Sequence, residues 1–302
     1  MISINEPSIL LTGGSGFLGR EIKKTLIRHN IITLGQNNAE IICDLANHIP
    51  DLIGDINTVI HAAGKAHSIP NTELAKQLFF DVNVRGTQNL LKALEKRSGL
   101  KAFVFISSVA VYGKVDGNLI NENSPLTARD PYGLSKIQAE EIVQNWCATQ
   151  KVTCVILRLP LVAGTNPPGN LNTMIKGIFK GYYFDIANGE ARKSIVLAED
   201  VAKIVPKATE VGGIYNLTDG YHPSFSELSE LMAKQIGKRK PANIPHWLAY
   251  LMAKSGDLIG SRAPINSDKL RKITSDLTFD DSKARRLLGW DPTPVLDGFK
   301  IH

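Results

Sequence analysis

At 302 residues and 43% hydrophobic content, the chain can bury a substantial core, as one large or two modest domains. No run of 18 apolar residues and no N-terminal signal peptide is visible, so a cytoplasmic protein is expected, and the net charge of +6 suits an anionic ligand such as a nucleotide diphosphate; the lysines and arginines are too scattered to favour nucleic acid. Cys43, Cys147 and Cys154 lack any CxxC pattern and read as buried, reduced thiols, and the seven histidines lack ligand spacing, so neither a disulfide nor a metal is expected.

In chain order, residues 8–12 (SILLT) predict a short buried strand and residues 17–29 a helix with apolar Leu18, Ile22 and Leu26. Gly13, Gly16 and Gly19 between them permit a tight turn, close backbone approach to a pyrophosphate and tight helix–strand packing. The helix start then offers free N–H groups to that anion; an ordinary glycine-rich loop is the bland alternative. Residues 31–34, 40–43 and 57–61 predict strands, 72–96 a helix, and 101–107 (KAFVFIS) a strongly apolar strand. Residues 131–150 predict a helix and 152–159 the next strand. This alternation predicts an α/β fold with a doubly wound parallel sheet and its ligand at the strand C-terminal ends, where His61, Ser107 and Ser108 fall. Residues 163–172 (AGTNPPGNLN) read as a loop leaving the sheet. Residues 199–209 predict another sheet-covering helix and 213–217 a returning strand; 225–236, 247–259 and 282–288 predict helices of a smaller C-terminal domain.

Within the 131–150 helix, Tyr132 and Lys136 lie one turn apart on one face, after a proline at the first helical position and an N-capping Asp130. A nearby ammonium favours phenolate, so Lys136 is expected to lower the tyrosine pKa toward that of a general base. Tyr-x-x-x-Lys is common by chance, and the glycine loop and Ser107-Ser108 give the pair its weight.

Taken together, TGGSGFLG at 12–19, Asp44-Leu45, HAAG at 61–64, NVRGT at 83–87, FISSVAVYG at 105–113, YGLSK at 132–136, Arg158-Leu159-Pro160, ARKS at 191–194 and DSKARRLLGW at 281–290 resemble an extended short-chain dehydrogenase/reductase of the NAD-dependent epimerase/dehydratase family. The nearest likeness is to bacterial UDP-(N-acetyl)hexosamine 4-epimerases and 4-ketosugar reductases. The resemblance implies a Rossmann-like domain at 1–165 plus about 197–220, and a nucleotide-sugar-binding domain at about 166–196 plus 221–302. It implies Ser108, Tyr132 and Lys136 as catalytic residues. For the cofactor, NAD with NADP still open, it implies Gly13, Gly16, Phe17, Leu18, Gly19, Asp44, Leu45, Ala62, Ala63, Gly64, Asn83, Ser107, Tyr132, Lys136 and Pro160. Asn83 reads equally as a brace of the cofactor loops, and Tyr112 as packing. For the sugar diphosphate it implies Lys65, Ser108, Asn170, Arg192 and Lys269, with Lys65 and His67 equally readable as solvated groups, and Leu277 near the N-acetyl position.

Two departures from the family pattern sharpen the reading. Sugar 4,6-dehydratases carry Asp-Glu where this chain has Val109-Ala110, which cannot shuttle protons. The end of the second strand reads Leu34-Gly35-Gln36-Asn37, without the acid that would hold a ribose 2′-hydroxyl or the arginine that suits NADP. The expectation is a nucleotide-sugar 4-epimerase of surface-polysaccharide synthesis, acting as a homodimer, with a 4-ketosugar reductase as the alternative and a non-catalytic dinucleotide sensor as a third. The apolar stretch 244–259 is expected to pack into the small domain or a partner subunit, with a peripheral membrane contact as the minority reading.

Overall fold

The computed structural model describes residues 8–66, 70–259, 263 and 265–301. The chain runs β1 (Ser8–Thr12), α1 (Phe17–Thr25), β2 (Asn30–Gly35), β3 (Ile41–Ile42), β4 (Ile56–His61), α2 (Glu73–Phe80) and α3 (Gly86–Leu94). It continues through β5 (Ala102–Ser108), β6 (Gly117–Ile120), α4 (Pro131–Gln150), β7 (Thr153–Leu159), β8 (Leu161–Ala163), α5 (Gly169–Lys180), β9 (Asp185–Ile186) and β10 (Ile195–Leu197). The remainder comprises α6 (Ala198–Val211), β11 (Gly213–Asn216), α7 (Phe225–Gln235), β12 (Asn243–Ile244), α8 (His246–Asp257), α9 (Ser267–Thr274), β13 (Leu277–Phe279), α10 (Ser282–Leu288) and α11 (Val295–Gly298).

Seven strands form one parallel sheet in the order β3-β2-β1-β4-β5-β7-β11. Successive side chains of a strand point to opposite faces, so both faces of this sheet must be apolar. Leu11, Ile60, Val104 and Val155 pack one face against α1 and α6, while Leu10, Val59, Phe103 and Phe105 pack the other against α3 and α4. The strand order reverses between β1 and β4, and a crevice opens at their C-terminal ends, the place where such sheets hold ligands. A separate apolar cluster joins β8, β10, α5, α7 and α11 through Leu171, Met174, Ile195, Leu228 and Val295.

Two local differences from the expected elements bear on the site. The 72–96 helix is two helices joined by a π-helical turn over Asp81–Arg85, which carries Asn83 inward to 2% exposure. Residues 163–172 are not loop throughout: α5 starts at Gly169, so Asn170 lies in a helical first turn. The Pro-Gly-Asn start hides the buried Leu171, Met174 and Ile178 that make α5 amphipathic. Of the cysteines only Cys147 is buried; Cys43 and Cys154 are partly exposed, so the reading of three buried thiols holds for one.

Candidate active site

The cradle at the end of β1 is made of backbone. Gly13 has φ +70°, and a Cβ there would lie 2.7 Å from the Ala63 nitrogen; a Cβ on Gly19 would collide with the Gly13 carbonyl oxygen. No side chain caps α1, whose N-cap is Gly16, so the first-turn amides of Phe17, Leu18 and Gly19 face the crevice mouth without a side-chain acceptor. Close-approach walls and orphan amides at a helix N-terminus fit the pyrophosphate of a dinucleotide.

His61 supports this cradle from beneath. The Thr87 hydroxyl donates to the Asn83 carbonyl at 2.7 Å, so at 2.9 Å it accepts from His61 Nε2–H. His61 Nδ1 then accepts from the Thr12 hydroxyl at 2.6 Å, whose oxygen accepts the Ala63 N–H at 3.1 Å. Burial, with the Lys136 charge adding to it, pushes the imidazole down to about 3. His61 is therefore a neutral brace, and its place at a strand end does not make it a reagent.

Asn83 spends its whole amide on bracing. Its oxygen accepts the Lys65 N–H at 2.7 Å, and its nitrogen donates to the Lys65 carbonyl at 3.1 Å and the Ser135 hydroxyl at 2.9 Å. Ser135 in turn donates to the Tyr132 carbonyl at 2.7 Å. The π turn thus ties the loop after β4 to the first turn of α4. A Cβ on Gly64 would sit 3.1 Å from the Asn83 oxygen and 3.4 Å from Lys136 Nζ, so Gly64 is the residue that lets the two approach.

The three catalytic candidates meet at the end of β5. Asp130 caps α4 by accepting the Gly133 N–H at 3.0 Å, with Pro131 in the first turn, and this fixes where Tyr132 emerges. Ser108 Oγ accepts the Ala110 N–H at 3.2 Å, which leaves its own proton for the Tyr132 oxygen. Burial raises the Tyr132 phenol above its usual value, Ser108 pulls it down, and the Asp130 carboxylate adds to the rise. The expected lowering by Lys136 is absent. One turn along the helix directs that side chain into the sheet, where Nζ donates to the Ile106 carbonyl at 2.8 Å and stands 4.6 Å from the Phe105 ring centroid. Burial brings the Lys136 ammonium down to about 8, and Glu140 works against that fall.

Glu140, one turn further along α4, went unread in the sequence. At 1% exposure it accepts from the Ser107 hydroxyl at 2.5 Å and from Arg158 Nη2 at 2.7 Å, with Arg158 itself 3% exposed. Ser107 therefore turns its side chain to Glu140. Arg158 also donates to the Tyr112 hydroxyl at 3.0 Å, and Tyr112 stacks on Phe279 at 5.5 Å, fully buried. The signal available was a Tyr-x-x-x-Lys-x-x-x-Glu spacing on one helix face, with an arginine in the adjacent strand β7.

The remaining candidates are spread around this floor. Asp44 accepts from Gln36 Nε2 at 2.9 Å, Asn47 Nδ2 at 2.6 Å and the Ala46 N–H at 3.1 Å, and these hold its carboxyl below the usual range. A hollow of about 480 Å³ opens beside Gln36 and Asp44. Leu45 is buried, with its carbonyl bound to Asn89; Ala62 and Leu18 pack on the sheet core. Phe17 lies against Gly164, and Pro160 follows β7 partly exposed. Lys65 Nζ stands 5.6 Å from the Phe79 ring, which lies 6.0 Å from that of Tyr132. His67 lies outside the described residues.

Among the candidates for the sugar diphosphate, Leu277 donates its N–H to the Arg192 carbonyl at 2.9 Å and joins an apolar cluster with Val109 and Ile137, neighbours of Ser108 and Lys136. This sets the Arg192 backbone against the catalytic corner. The Arg192 guanidinium is 45% exposed, donates to the His222 carbonyl at 3.0 Å and lies over the Tyr221 ring. Asn170 is exposed at the start of α5. Lys269 in α9 donates its ammonium to the Ala263 carbonyl.

The family model described as the NAD dependent epimerase/dehydratase family matches residues 9–218. The chain belongs to this family. Among curated relatives, the N-acetyl-α-D-glucosaminyl-diphospho-ditrans,octacis-undecaprenol 4-epimerase of Escherichia coli O157:H7 is 28% identical over 91% of this chain and 88% of its own. The UDP-glucose 4-epimerase of Vibrio cholerae is 28% identical over 97% and 93%. The fold matches the UDP-glucose 4-epimerase of Thermotoga maritima solved with UDP-glucose, with a TM-score of 0.74 and 21% identity over 96% of both chains. It also matches MoeE5 solved with UDP-glucose and NAD, with a TM-score of 0.73 and 19% identity over 96% and 95%. As a family member, the chain is an α/β, Rossmann-like protein.

Proposed function

We propose that the protein is a cytoplasmic, homodimeric NAD-dependent 4-epimerase of diphosphate-linked hexoses, with UDP-glucose- or UDP-N-acetylglucosamine-type substrates. The observation that carries this reading is the meeting of the Ser108 hydroxyl and the Tyr132 phenol at the end of β5, one turn from a buried Lys136 and facing a backbone-walled cradle. The relatives named as 4-epimerases support the reaction class. In this reading the amides of Phe17, Leu18 and Gly19 hold the pyrophosphate, Asp44 the adenine, and Lys136 the nicotinamide ribose. Bound NAD would supply the reversible hydride chemistry at C4 that side chains cannot.

Tyr132 takes the C4 hydroxyl proton and later gives one back, with Ser108 hydrogen-bonding the reacting oxygen throughout. Of the groups acting on the buried phenol, Ser108 pulls it back toward a usable base, and Lys136 adds to this only by turning from the Ile106 carbonyl toward the bound ribose. Arg192 and Asn170 hold the diphosphate while the 4-keto sugar turns about its link, a fork-shaped guanidinium suiting phosphate oxygens. Val109 and Ala110 offer no proton shuttle for 4,6-dehydration. Leu74 and Leu78, exposed on α2, are the surface on which a partner would pack in the dimer.

A 4-ketosugar reductase is the second reading. It is favoured by the end of β2, where Gln36 donates to Asp44 and no acid or arginine is present to select a ribose. Denaturing freshly purified protein and identifying the dinucleotide released separates the two. Near-stoichiometric NAD supports the epimerase; little bound dinucleotide, with reversible NADH or NADPH binding, supports the reductase.

A further inference from the structure

α8 is apolar on the wrong side for a surface helix. It packs inward through Ala249, Ala253 and Gly256, and small residues suffice there against Leu270 and Ile273. The opposite stripe, spaced i, i+3, i+4, i+7, i+11, holds Trp247, Tyr250, Leu251, Lys254 and Leu258. Trp247, Leu251 and Leu258 are 65%, 55% and 91% exposed. Single exposed apolar residues are ordinary, but an aligned stripe marks a contact surface. The patch extends beyond α8: Phe179, Tyr182 and Phe184 are exposed at and after the end of α5, just before β9, and β9 pairs with β12, which leads directly into α8.

Charge selects the partner. Residues 166–184 and 231–256, which supply these aromatics, hold seven lysines and arginines; Asp185, Glu230 and Asp257 flank them, Glu230 pairing with Lys240 and Asp257 lying 3.9 Å from Lys254, so the face keeps a positive excess. Two of the cations sit on the aromatics themselves, Lys238 at 5.4 Å from the Phe179 ring and Lys254 at 5.5 Å from the Tyr250 ring. Apolar rings interleaved with cations suit an anionic lipid surface, where rings enter the headgroup boundary and ammonium groups meet phosphate. A second copy of the chain fits less well, because a two-fold contact would set this cationic face against itself. Among the described residues, no helix is long and apolar enough to cross a membrane, so the contact is with the surface alone. We propose that the α8 stripe and the aromatic edge beyond α5 dock the protein on an anionic bilayer surface.

Cosedimentation with vesicles tests this independently of any activity. The full chain is expected to bind phosphatidylcholine vesicles containing about a quarter phosphatidylglycerol, to bind pure phosphatidylcholine far less, and to be released as salt screens the charges. Trp247→Glu with Leu251→Glu should weaken binding at least about tenfold, as should Lys238→Glu with Arg239→Glu. Turnover of a soluble nucleotide sugar and the thermal midpoint should stay as in the wild type, since these side chains are exposed. Absence of binding to either vesicle, equal binding to both, or unchanged binding by the double variants overturns the proposal. So does a light-scattering result in which the glutamates only split a dimer, which would make the face a contact between copies.

Discussion

The floor of the crevice and the side proposed to hold the sugar diphosphate, its sugar side, are built on opposite plans. On the floor, Asn83, Glu140, Arg158 and His61 are each 3% exposed or less, and their polar atoms are engaged by neighbouring side chains or backbone. On the sugar side Arg192 and Asn170 reach solvent, and the partners of Arg192, the His222 carbonyl and Glu227, are themselves partly exposed. The floor is thus set before any ligand arrives, whereas the sugar side is free to rearrange around one. Substitutions below should cost turnover and stability together; substitutions above should cost affinity.

The largest effect is expected at the junction of the two. Tyr132→Phe should lower kcat by about 10³-fold, the range of a lost general acid–base, while dinucleotide affinity stays near wild type. Steady-state rates with fluorescence titration of the dinucleotide check both halves, and unchanged turnover removes Tyr132 from the chemistry.

Glu140→Gln comes next, because it strands Arg158 without its counter-ion. A stability loss of about 3 kcal/mol in denaturant unfolding is expected for a broken buried pair. The variant also carries a pH signature. The buried Lys136 ammonium titrates at about 8, so activity that needs its charge declines as pH rises through about 8. Removing the carboxylate that holds this value up should move the decline to lower pH; a decline that stays in place, or moves upward, makes Glu140 merely structural. The linked stability runs the other way. Burying the charge weakens the fold below about pH 8, and this cost fades as pH rises toward the ordinary lysine value of 10.5.

Gly19→Ala should destabilise the fold by about 1–3 kcal/mol through overpacking against the Gly13 carbonyl, and should weaken dinucleotide binding with it. Thermal melts with and without added NAD read both effects. The smallest change is expected at Arg192→Ala: KM for the sugar diphosphate up by about tenfold with kcat nearly unchanged, the mark of lost uniform binding. A fall in kcat alone would place Arg192 in the chemistry and erase the contrast between floor and sugar side.

Much of the floor was legible because its residues sit at fixed offsets on regular elements. The Gly13–Gly19 turn, the Asp130-Pro131 start of α4 and the strand ends at His61 and Ser108 follow from periodicity and capping. What escaped the sequence was set by tertiary packing. The direction of Lys136 into the sheet depends on the Ile106 carbonyl, and the burial that raises the Tyr132 phenol is likewise invisible in the Tyr-x-x-x-Lys spacing. The π turn that carries Asn83 inward leaves no local mark in an otherwise helical run. Glu140 reads as a surface acid until Arg158 is known to lie beneath it. On the sugar side, α5 hid behind prolines and asparagines, and the short strands β6, β8, β10 and β13 exist only through partners distant in the chain.

The most direct test of the central assignment is incubation of the purified protein with UDP-glucose carrying deuterium at C4, without added cofactor, followed by NMR of the product and of the residual substrate. The account predicts UDP-galactose with deuterium kept at C4, since hydride leaves and returns within one site. No C4 epimer from this or the N-acetyl analogue, together with stoichiometric NADH or NADPH consumption on a 4-keto sugar, would contradict it.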